Sequence, residues 1–208
     1  MLFRSNQLLE LVAPVQTDTA AGRYLARRGG DGGYMVITQC NDLAPRRARV
    51  DALGVRIANH LEHGPFEGMQ LHPRDTGGSF FEIDQQKDDD AEDGAWYPAG
   101  DGWQDYRRTD IVSAITAAEL QSPDPLTLGE RWASIAEVPL ERSQRGFEMR
   151  LANASVRFVE ATDGRPEGLA ALDLRAANAA GARDAATAAG LVDAHGNIEI
   201  CGTRFHLV

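Results

Sequence analysis

The chain has 208 residues, which suits one large domain or two domains of about 100 residues each. A hydrophobic fraction of 43% and a charged fraction of 25% are those of an ordinary globular protein, and no apolar run approaches the roughly 20 residues of a membrane span. The formal net charge of -10 argues against nucleic-acid binding, because release of counterions from phosphates requires a basic surface.

The two cysteines, Cys40 and Cys201, each fall in a predicted strand and lack the spacing of metal ligands. We expect buried free thiols rather than a disulfide or a reactive nucleophile. The first seven residues contain no apolar core of signal-peptide length. This predicts a cytoplasmic protein.

The first half of the chain predicts alternating strands and helices. Apolar patterning and turn residues predict strand 8–13, helix 19–29, strand 34–40, helix 43–54 and strands 55–59, 68–73 and 79–84. Two of these strands, LLELVAPV and SFFEID, carry the carboxylates Glu10 and Glu82 within apolar runs. A buried carboxylate is costly unless it is paired, hydrogen-bonded or metal-bound, so both are candidate site residues.

An acidic stretch, QQKDDDAEDG, interrupts the apolar patterning, and we interpret residues 85–109 as a linker. It lacks the ligand spacing and central glycine of an EF-hand calcium loop. Beyond it, the pattern predicts strand 111–120, helix 126–138, strands 147–152, 155–161 and 168–176, helix 179–192 and strands 197–201 and 203–208. A strand, a helix and then short strands thus recur in residues 34–84, 111–161 and 168–208, which indicates an internal repeat.

This repeat, with the stretches LLELVAPV, GGYMVITQC and LHPRDTGGSFFEID, resembles the vicinal oxygen chelate superfamily of glyoxalases, extradiol dioxygenases and bleomycin-resistance proteins. Within it, the chain is most similar to methylmalonyl-CoA epimerase-like and glyoxalase-like members. The resemblance implies an α+β fold in which tandem strand-helix-strand-strand-strand modules form cupped mixed sheets. It divides the chain into a glyoxalase-like half with an incomplete first module (1–84), the linker (85–109) and a second, degenerate pair of modules (110–208).

The resemblance also implies a divalent metal held by side chains from the first and last strands of two modules. Glu10 and Glu82 match last-strand ligand positions, whereas a first-strand position falls on Met35, a poor ligand for a hard metal but a suitable contact for a bound molecule. The other first-strand ligand is missing, because the chain begins near the last strand of its first module. We therefore expect an N-terminally truncated reading frame and a degenerate metal site, with no cofactor or, alternatively, a divalent metal.

Two further residues have roles implied by the resemblance, each with a structural alternative. Arg157, in SVRFVEA, stands at another ligand position, where a cation repels a metal; it binds a ligand carboxylate or forms a salt bridge. His72, in LHPRD, is a candidate catalytic acid or base in the cup, or an anchor for the turn before DTGG. The histidines of HLEH, residues 60–63, are expected in a solvated turn.

Three functions are consistent with these observations. The favoured one is binding of a small molecule in the cup without an intact metal site. The alternative is a divalent-metal-dependent isomerase, epimerase or lyase that acts on a small oxo or hydroxy acid or its thioester. The third is a fragment that completes its sheet with a second protomer, as a homodimer.

Overall fold

The computed structural model describes residues 7–89, 91 and 94–208. Its helices are α1 (Ala20–Arg28), α2 (Leu43–Ala52), α3 (Pro73–Thr76), α4 (Pro125–Ala136) and α5 (Ala179–Ala188). Its strands are β1 (Met35–Gln39), β2 (Ile57–His63), β3 (Phe66–Leu71), β4 (Phe80–Gln86), β5 (Val112–Ser122), β6 (Leu140–Ser143), β7 (Gly146–Arg150), β8 (Ser155–Glu160), β9 (Gly168–Ala176), β10 (Ile198–Ile200) and β11 (Thr203–Leu207). None of the described helices is long and apolar enough to cross a membrane.

Residues 35–86 form a four-stranded sheet, which we call module A. Its strand order is β1-β4-β3-β2, with β1 parallel to β4 and the other pairs antiparallel. The connection from β1 to β2 runs through α2, whose first turn is capped by the Asp42 side chain accepting from the Ala44 N–H. Val50 of α2 and Phe81 of β4 lie in the buried core.

The second sheet has seven strands in the order β10-β11-β9-β5-β8-β7-β6. Residues 112–160 (module B) repeat the order of module A, with β5 parallel to β8. Residues 168–207 (module C) follow the same path with one strand fewer, and β9 is parallel to β11. The first strands of modules B and C, β5 and β9, pair antiparallel and join the two modules into one sheet. The expected α+β fold with tandem modules and mixed sheets is confirmed.

The two sheets share one core through an aromatic stack. The rings of Phe81 on β4 and Trp132 on α4 are stacked with centroids 4.4 Å apart, and Phe158 on β8 packs edge-on against Trp132 at 5.9 Å. Arg49 on α2 adds a hydrogen bond of 2.9 Å to the Ser134 carbonyl. The helices of modules A and B are therefore packed between the two sheets.

Aromatic contacts hold the described residues of the segment that follows β4 and precedes β5. It contains two 3-10 helices, Tyr97–Ala99 and Trp103–Tyr106, and Trp103 is buried. Tyr97 stacks on Phe66 of β3 with ring centroids 5.8 Å apart. Three acidic residues of the predicted linker, at positions 90, 92 and 93, lie outside the described residues.

Several local predictions are wrong. Residues 8–13 do not form a regular strand: Leu8 lies in an isolated β-bridge, the residues after it are not in strand conformation, and Leu11 and Val12 are 72% and 54% exposed. A strand needs a continuous hydrogen-bonded ladder, which an apolar pattern alone does not supply. HLEH belongs to β2, where pairing with β3 outweighs the turn signal of Gly64. Cys201 lies in an exposed turn at φ 48° rather than in a buried strand.

Candidate functional site

Four charged or titratable side chains meet on one face of the seven-stranded sheet. They are Glu119 on β5, Arg157 on β8, Asp173 on β9 and His206 on β11, and the sheet register places Glu119 beside Arg157 and Asp173 beside His206. Successive strand residues point to opposite faces, so the apolar neighbours of these residues, such as Leu120, enter the core. Modules B and C therefore each contribute one carboxylate and one basic group, from their first and last strands.

The two carboxylates of this site are held by two arginines. Arg157 Nη1 lies 3.1 Å from Glu119 Oε2 and 2.8 Å from Asp173 Oδ2. Arg145, in the turn between β6 and β7, reaches Glu119 Oε2 at 2.7 Å and Asp173 Oδ2 at 3.6 Å. Burial opposes the charge of Arg157, but the contacts with Asp173 and Glu119 outweigh it and raise the pKa of the guanidinium. Charge is thus balanced within the site.

Asp173 also binds His206, whose Nδ1 lies 2.9 Å from Asp173 Oδ1. Burial favours the protonated form of this carboxyl, yet the hydrogen bonds with His206 and Arg157 prevail and lower the pKa of Asp173. A carboxylate only accepts hydrogen bonds, so the neutral imidazole carries its proton on Nδ1. The other ring nitrogen, Nε2, is then the basic one.

A cavity of about 270 Å³ opens beside this cluster. It is lined mainly by polar side chains: Glu119, Gln121, Arg145, Val159, Glu160, Thr162, Arg204 and His206. Arg204 is oriented by two contacts, a hydrogen bond of 3.1 Å to Gln121 Oε1 and an ion pair of 3.1 Å with Asp163 Oδ2. The cavity therefore presents hydrogen-bond donors from two arginines to a small molecule.

Part of this cluster could hold a metal ion. One possible ligand atom from each of Glu119, Asp173 and His206 lies within 4.8 Å of the other two. Two carboxylates and an imidazole are a donor set that divalent metals accept. However, Arg157 Nη1 lies within 3.1 Å of both carboxylates and occupies the position that a cation would take. The residues present do not fit a metal while Arg157 keeps this position.

A second buried acidic pair lies in module A. Glu82 and Asp84, two residues apart on β4, are 3% and 0% exposed, so both carboxyl groups are removed from solvent. Burial and then the Glu82 charge raise the pKa of Asp84 to about 9. Burial likewise raises the pKa of Glu82, against a hydrogen bond from Gln70. Asp84 is therefore protonated at neutral pH.

The other residues singled out in the sequence lie apart from the charged cluster. Glu10 is exposed and contributes only a repulsive charge to Glu82, and Met35 is half-buried beside Phe80 in the register of β1 with β4. His72 caps α3, with Nδ1 accepting from the Arg74 N–H at 3.2 Å, as the turn-anchor alternative describes. A metal at Glu10 and Glu82, a ligand at Met35 and a catalytic His72 stay predictions.

Sequence reasoning placed Arg157 among candidate site residues but missed its partners. Arg157 forms the salt bridges of the structural alternative. The missed residues carry the signal that singled out Glu82: Glu119 in ITAAELQ and Asp173 in AALDLRA are also single carboxylates within apolar strands. Applied to the second half of the chain, the same rule would have found both.

No family model and no curated protein matches the chain. Solved structures do match it. A hypothetical protein from Staphylococcus aureus is 12% identical with a TM-score of 0.59, over 91% of this chain and 71% of that one. A mutant 4-hydroxymandelate synthase from Streptomyces coelicolor is 15% identical with a TM-score of 0.56, over 86% and 59% of the two chains. These similarities show a shared fold.

The Mn(II)-bound glyoxalase from Novosphingobium aromaticivorans also matches, at 16% identity with a TM-score of 0.44, over 68% of this chain and 45% of that one. The present chain spans about half to three quarters of the length of these three structures.

Proposed function

We propose that this chain is a vicinal oxygen chelate protein that binds a small molecule in the cup formed by modules B and C, with Arg157 in place of a metal. The observation that carries the proposal is the position of the Arg157 guanidinium, 3.1 Å from Glu119 and 2.8 Å from Asp173. A guanidinium keeps its charge at every physiological pH, so Arg157 and Arg145 together balance the charges of Glu119 and Asp173 permanently.

The chemistry of the cavity favours a ligand rich in oxygen acceptors. Arg145 and Arg204 line it, and a guanidinium has more N–H donors than their protein contacts use. Planar forked donors match a carboxylate, which can accept two hydrogen bonds from one guanidinium. A small organic acid is therefore the expected ligand.

The test is a binding screen of small 2-oxo and 2-hydroxy acids by isothermal titration calorimetry, with the purified chain treated with a chelator. We expect saturable binding that Arg145→Gln weakens at least tenfold. Arg150→Gln is the matched control, because Arg150 lies on β7, the strand that follows the Arg145 turn, and its ion pair of 3.1 Å with Glu141 is exposed. Binding that appears only after metal is added would contradict the proposal.

A divalent-metal enzyme is the second candidate, and the grouping of Glu119, Asp173 and His206 favours it. It requires Arg157 to leave its carboxylate partners when the metal binds. Elemental analysis after reloading with manganese, cobalt, nickel or zinc tests this candidate. Stoichiometric metal that is lost in His206→Gln would support it over the metal-free cup.

A further inference from the structure

Another cavity, of about 170 Å³, opens where helix α1, the turn before β4 and the turn before β9 meet. None of its lining residues lines the cavity of modules B and C. Two aromatic rings, two prolines and two arginines surround it, and we call it the Arg28 pocket. Its lining residues are Tyr24, Arg27, Arg28, Pro73, Gly78, Ser79, Phe80, Pro166 and Glu167.

The aromatic wall of the Arg28 pocket is fixed by contacts within the chain. The ring of Tyr34 lies edge-on to Tyr24, with centroids 5.1 Å apart, and contacts the ring of Phe80 at 5.0 Å. The Tyr24 hydroxyl donates a hydrogen bond of 2.5 Å to the Gly33 carbonyl. Because these contacts already hold the two rings that face the cavity, a ligand has little side-chain freedom to remove when it binds.

Two glycines leave room for the Arg28 side chain beside this wall. A Cβ atom at Gly32 would lie 2.0 Å from Arg28 Nε, and one at Gly168 would lie 3.1 Å from Arg28 Nη1. The guanidinium carbon of Arg28 lies 6.0 Å from the centroid of the Tyr24 ring. Among the residues that the structure describes, neither Arg27 nor Arg28 forms an ion pair, so both guanidinium groups keep donors for a ligand.

The charges that line the Arg28 pocket favour an anion. Arg27 and Arg28 supply two positive charges, and Glu167 supplies one negative charge. The Glu167 carboxylate is already engaged, because Oε1 accepts from the Gly78 N–H at 2.8 Å and Oε2 accepts from the Ser122 hydroxyl. The pocket therefore keeps a net positive charge, although the whole chain has a formal net charge of -10.

We propose that the Arg28 pocket is a second ligand site, which binds a single-ring aromatic carboxylate. Its volume suits one ring, since an apolar cavity of about 150 Å³ accommodates benzene. The ring packs against Tyr24 and Phe80, and the carboxylate accepts two hydrogen bonds from the forked donors of Arg28. A neutral ring lacks the second contact and a short aliphatic acid lacks the first. This site is additional to the cup of the proposed function and shares no lining residue with it.

The experiment is an NMR titration of the isotope-labelled chain with sodium benzoate, which reports affinity and location together. We expect saturable shifts of the backbone amides of Arg28, Gly78 and Ser79, which line the pocket. The amides of Glu119 and His206, at the other cavity, should change little. Benzyl alcohol is the matched neutral probe, and we expect it to bind at least about tenfold more weakly because it lacks the charge-assisted contact.

Two substitutions test the role of Arg28. Arg28→Gln should weaken benzoate binding at least about tenfold. Arg23→Gln is the matched control, because Arg23 lies on the same helix, forms an exposed ion pair of 2.8 Å with Asp18 and does not line the pocket. Gly32→Ala should also weaken binding, since its methyl group displaces the Arg28 side chain while every lining residue stays unchanged.

The outcomes separate this site from the cup. Shifts confined to Glu119, Gln121 and His206 would assign benzoate to the cup, which overturns this inference and supports the proposed function. No saturable shift at any amide also overturns it and leaves the cup to its own test with 2-oxo acids. Equal affinity for benzyl alcohol, or wild-type affinity in Arg28→Gln, would overturn recognition of the carboxylate by Arg28. If circular dichroism shows that Arg28→Gln does not fold, Gly32→Ala decides in its place, and wild-type affinity there overturns the inference.

Discussion

Arg157 on β8 and Asp173 on β9 form an ion pair of 2.8 Å across the central strand β5, although β8 and β9 are not neighbours in the sheet. The pair therefore links module B to module C in addition to the backbone hydrogen bonds between β5 and β9. Glu119 on β5 shares the same guanidinium at 3.1 Å. One side chain thus contacts two buried carboxylates from different strands.

Removal of this guanidinium should destabilise the fold. We expect Arg157→Met to lower the free energy of unfolding by about 3–5 kcal/mol, because it leaves buried carboxylates with a single partner arginine. Urea denaturation at pH 7 measures the change. Arg150→Met, which breaks an exposed ion pair, should cost less than about 1 kcal/mol. Equal losses in the two variants would contradict the role of Arg157.

Replacement of the same residue by a metal ligand should create a metal site. Arg157→His places an imidazole beside Glu119, Asp173 and His206, which already group their ligand atoms within 4.8 Å. We expect one manganese or nickel ion per chain by calorimetry, with at least tenfold higher affinity than in Arg157→Met. Equal affinity in the two variants would show that the introduced imidazole does not bind the metal, and no binding in either would show that removal of the guanidinium does not open a metal site.

The acidic pair of module A should make stability fall as pH rises. Asp84 has a folded-state pKa of about 9, above its unfolded value, so folding takes up protons between about pH 4 and 9. The free energy of unfolding is highest below the pKa of the unfolded state. It decreases as the pH rises toward 9, by up to about 1.4 kcal/mol per pH unit for one proton. Glu82 shifts in the same direction.

The corresponding variant is Asp84→Asn. It should be more stable than the wild-type chain at pH 8 and lose most of that advantage at pH 5, because an amide cannot ionise. Thermal unfolding at both pH values measures the difference. The exposed carboxylate Asp110 provides the control, and Asp110→Asn should change stability equally little at either pH. An advantage for Asp84→Asn that does not depend on pH would indicate a packing effect instead.

The aromatic stack between the sheets should couple their unfolding. Trp132 is fully buried against Phe81 of module A and Phe158 of module B. We expect Trp132→Ala to cost about 3–5 kcal/mol and to affect both sheets in one transition. Leu126→Ala, on the exposed side of the same helix, should cost little. Two separated transitions in the wild-type chain would contradict a shared core.

Much of the fold follows from patterns that the sequence displays. Helix α4 runs from Pro125 to Ala136, within two residues of the predicted range at each end, because its apolar spacing and capping signals agree. Strand β6, LERS, was not predicted, since a short edge strand with exposed polar residues has no apolar signal. Residues 8–13 carry a strong strand signal but form no regular strand beyond the bridge at Leu8, because a local pattern cannot reveal whether a neighbouring strand continues alongside.

The candidate site was harder to predict for a related reason. Glu119, Asp173 and His206 lie 33 or more positions apart, and only the order of strands in the sheet brings them together. The clearest motifs of the resemblance lie in the first half of the chain, so they indicate Glu82 rather than the carboxylates of the complete pair of modules. The repeat itself was visible, and Glu119 and Asp173 hold equivalent places in it, since each lies opposite the basic residue on the last strand of its module.

The irregular pairing of β5 with β9 has a consequence for how this chain can change during evolution. The register shifts at three places along β5, the last between Glu119 and Leu120. A bulge changes which face a following side chain occupies, so the length of this strand decides whether Glu119 meets Arg157 or enters the core. Conservative substitutions along β5 should therefore be tolerated. Insertion or deletion of a single residue between Val112 and Glu119 would separate Glu119 from Arg157, although it would leave the composition and hydrophobicity of the chain nearly unchanged.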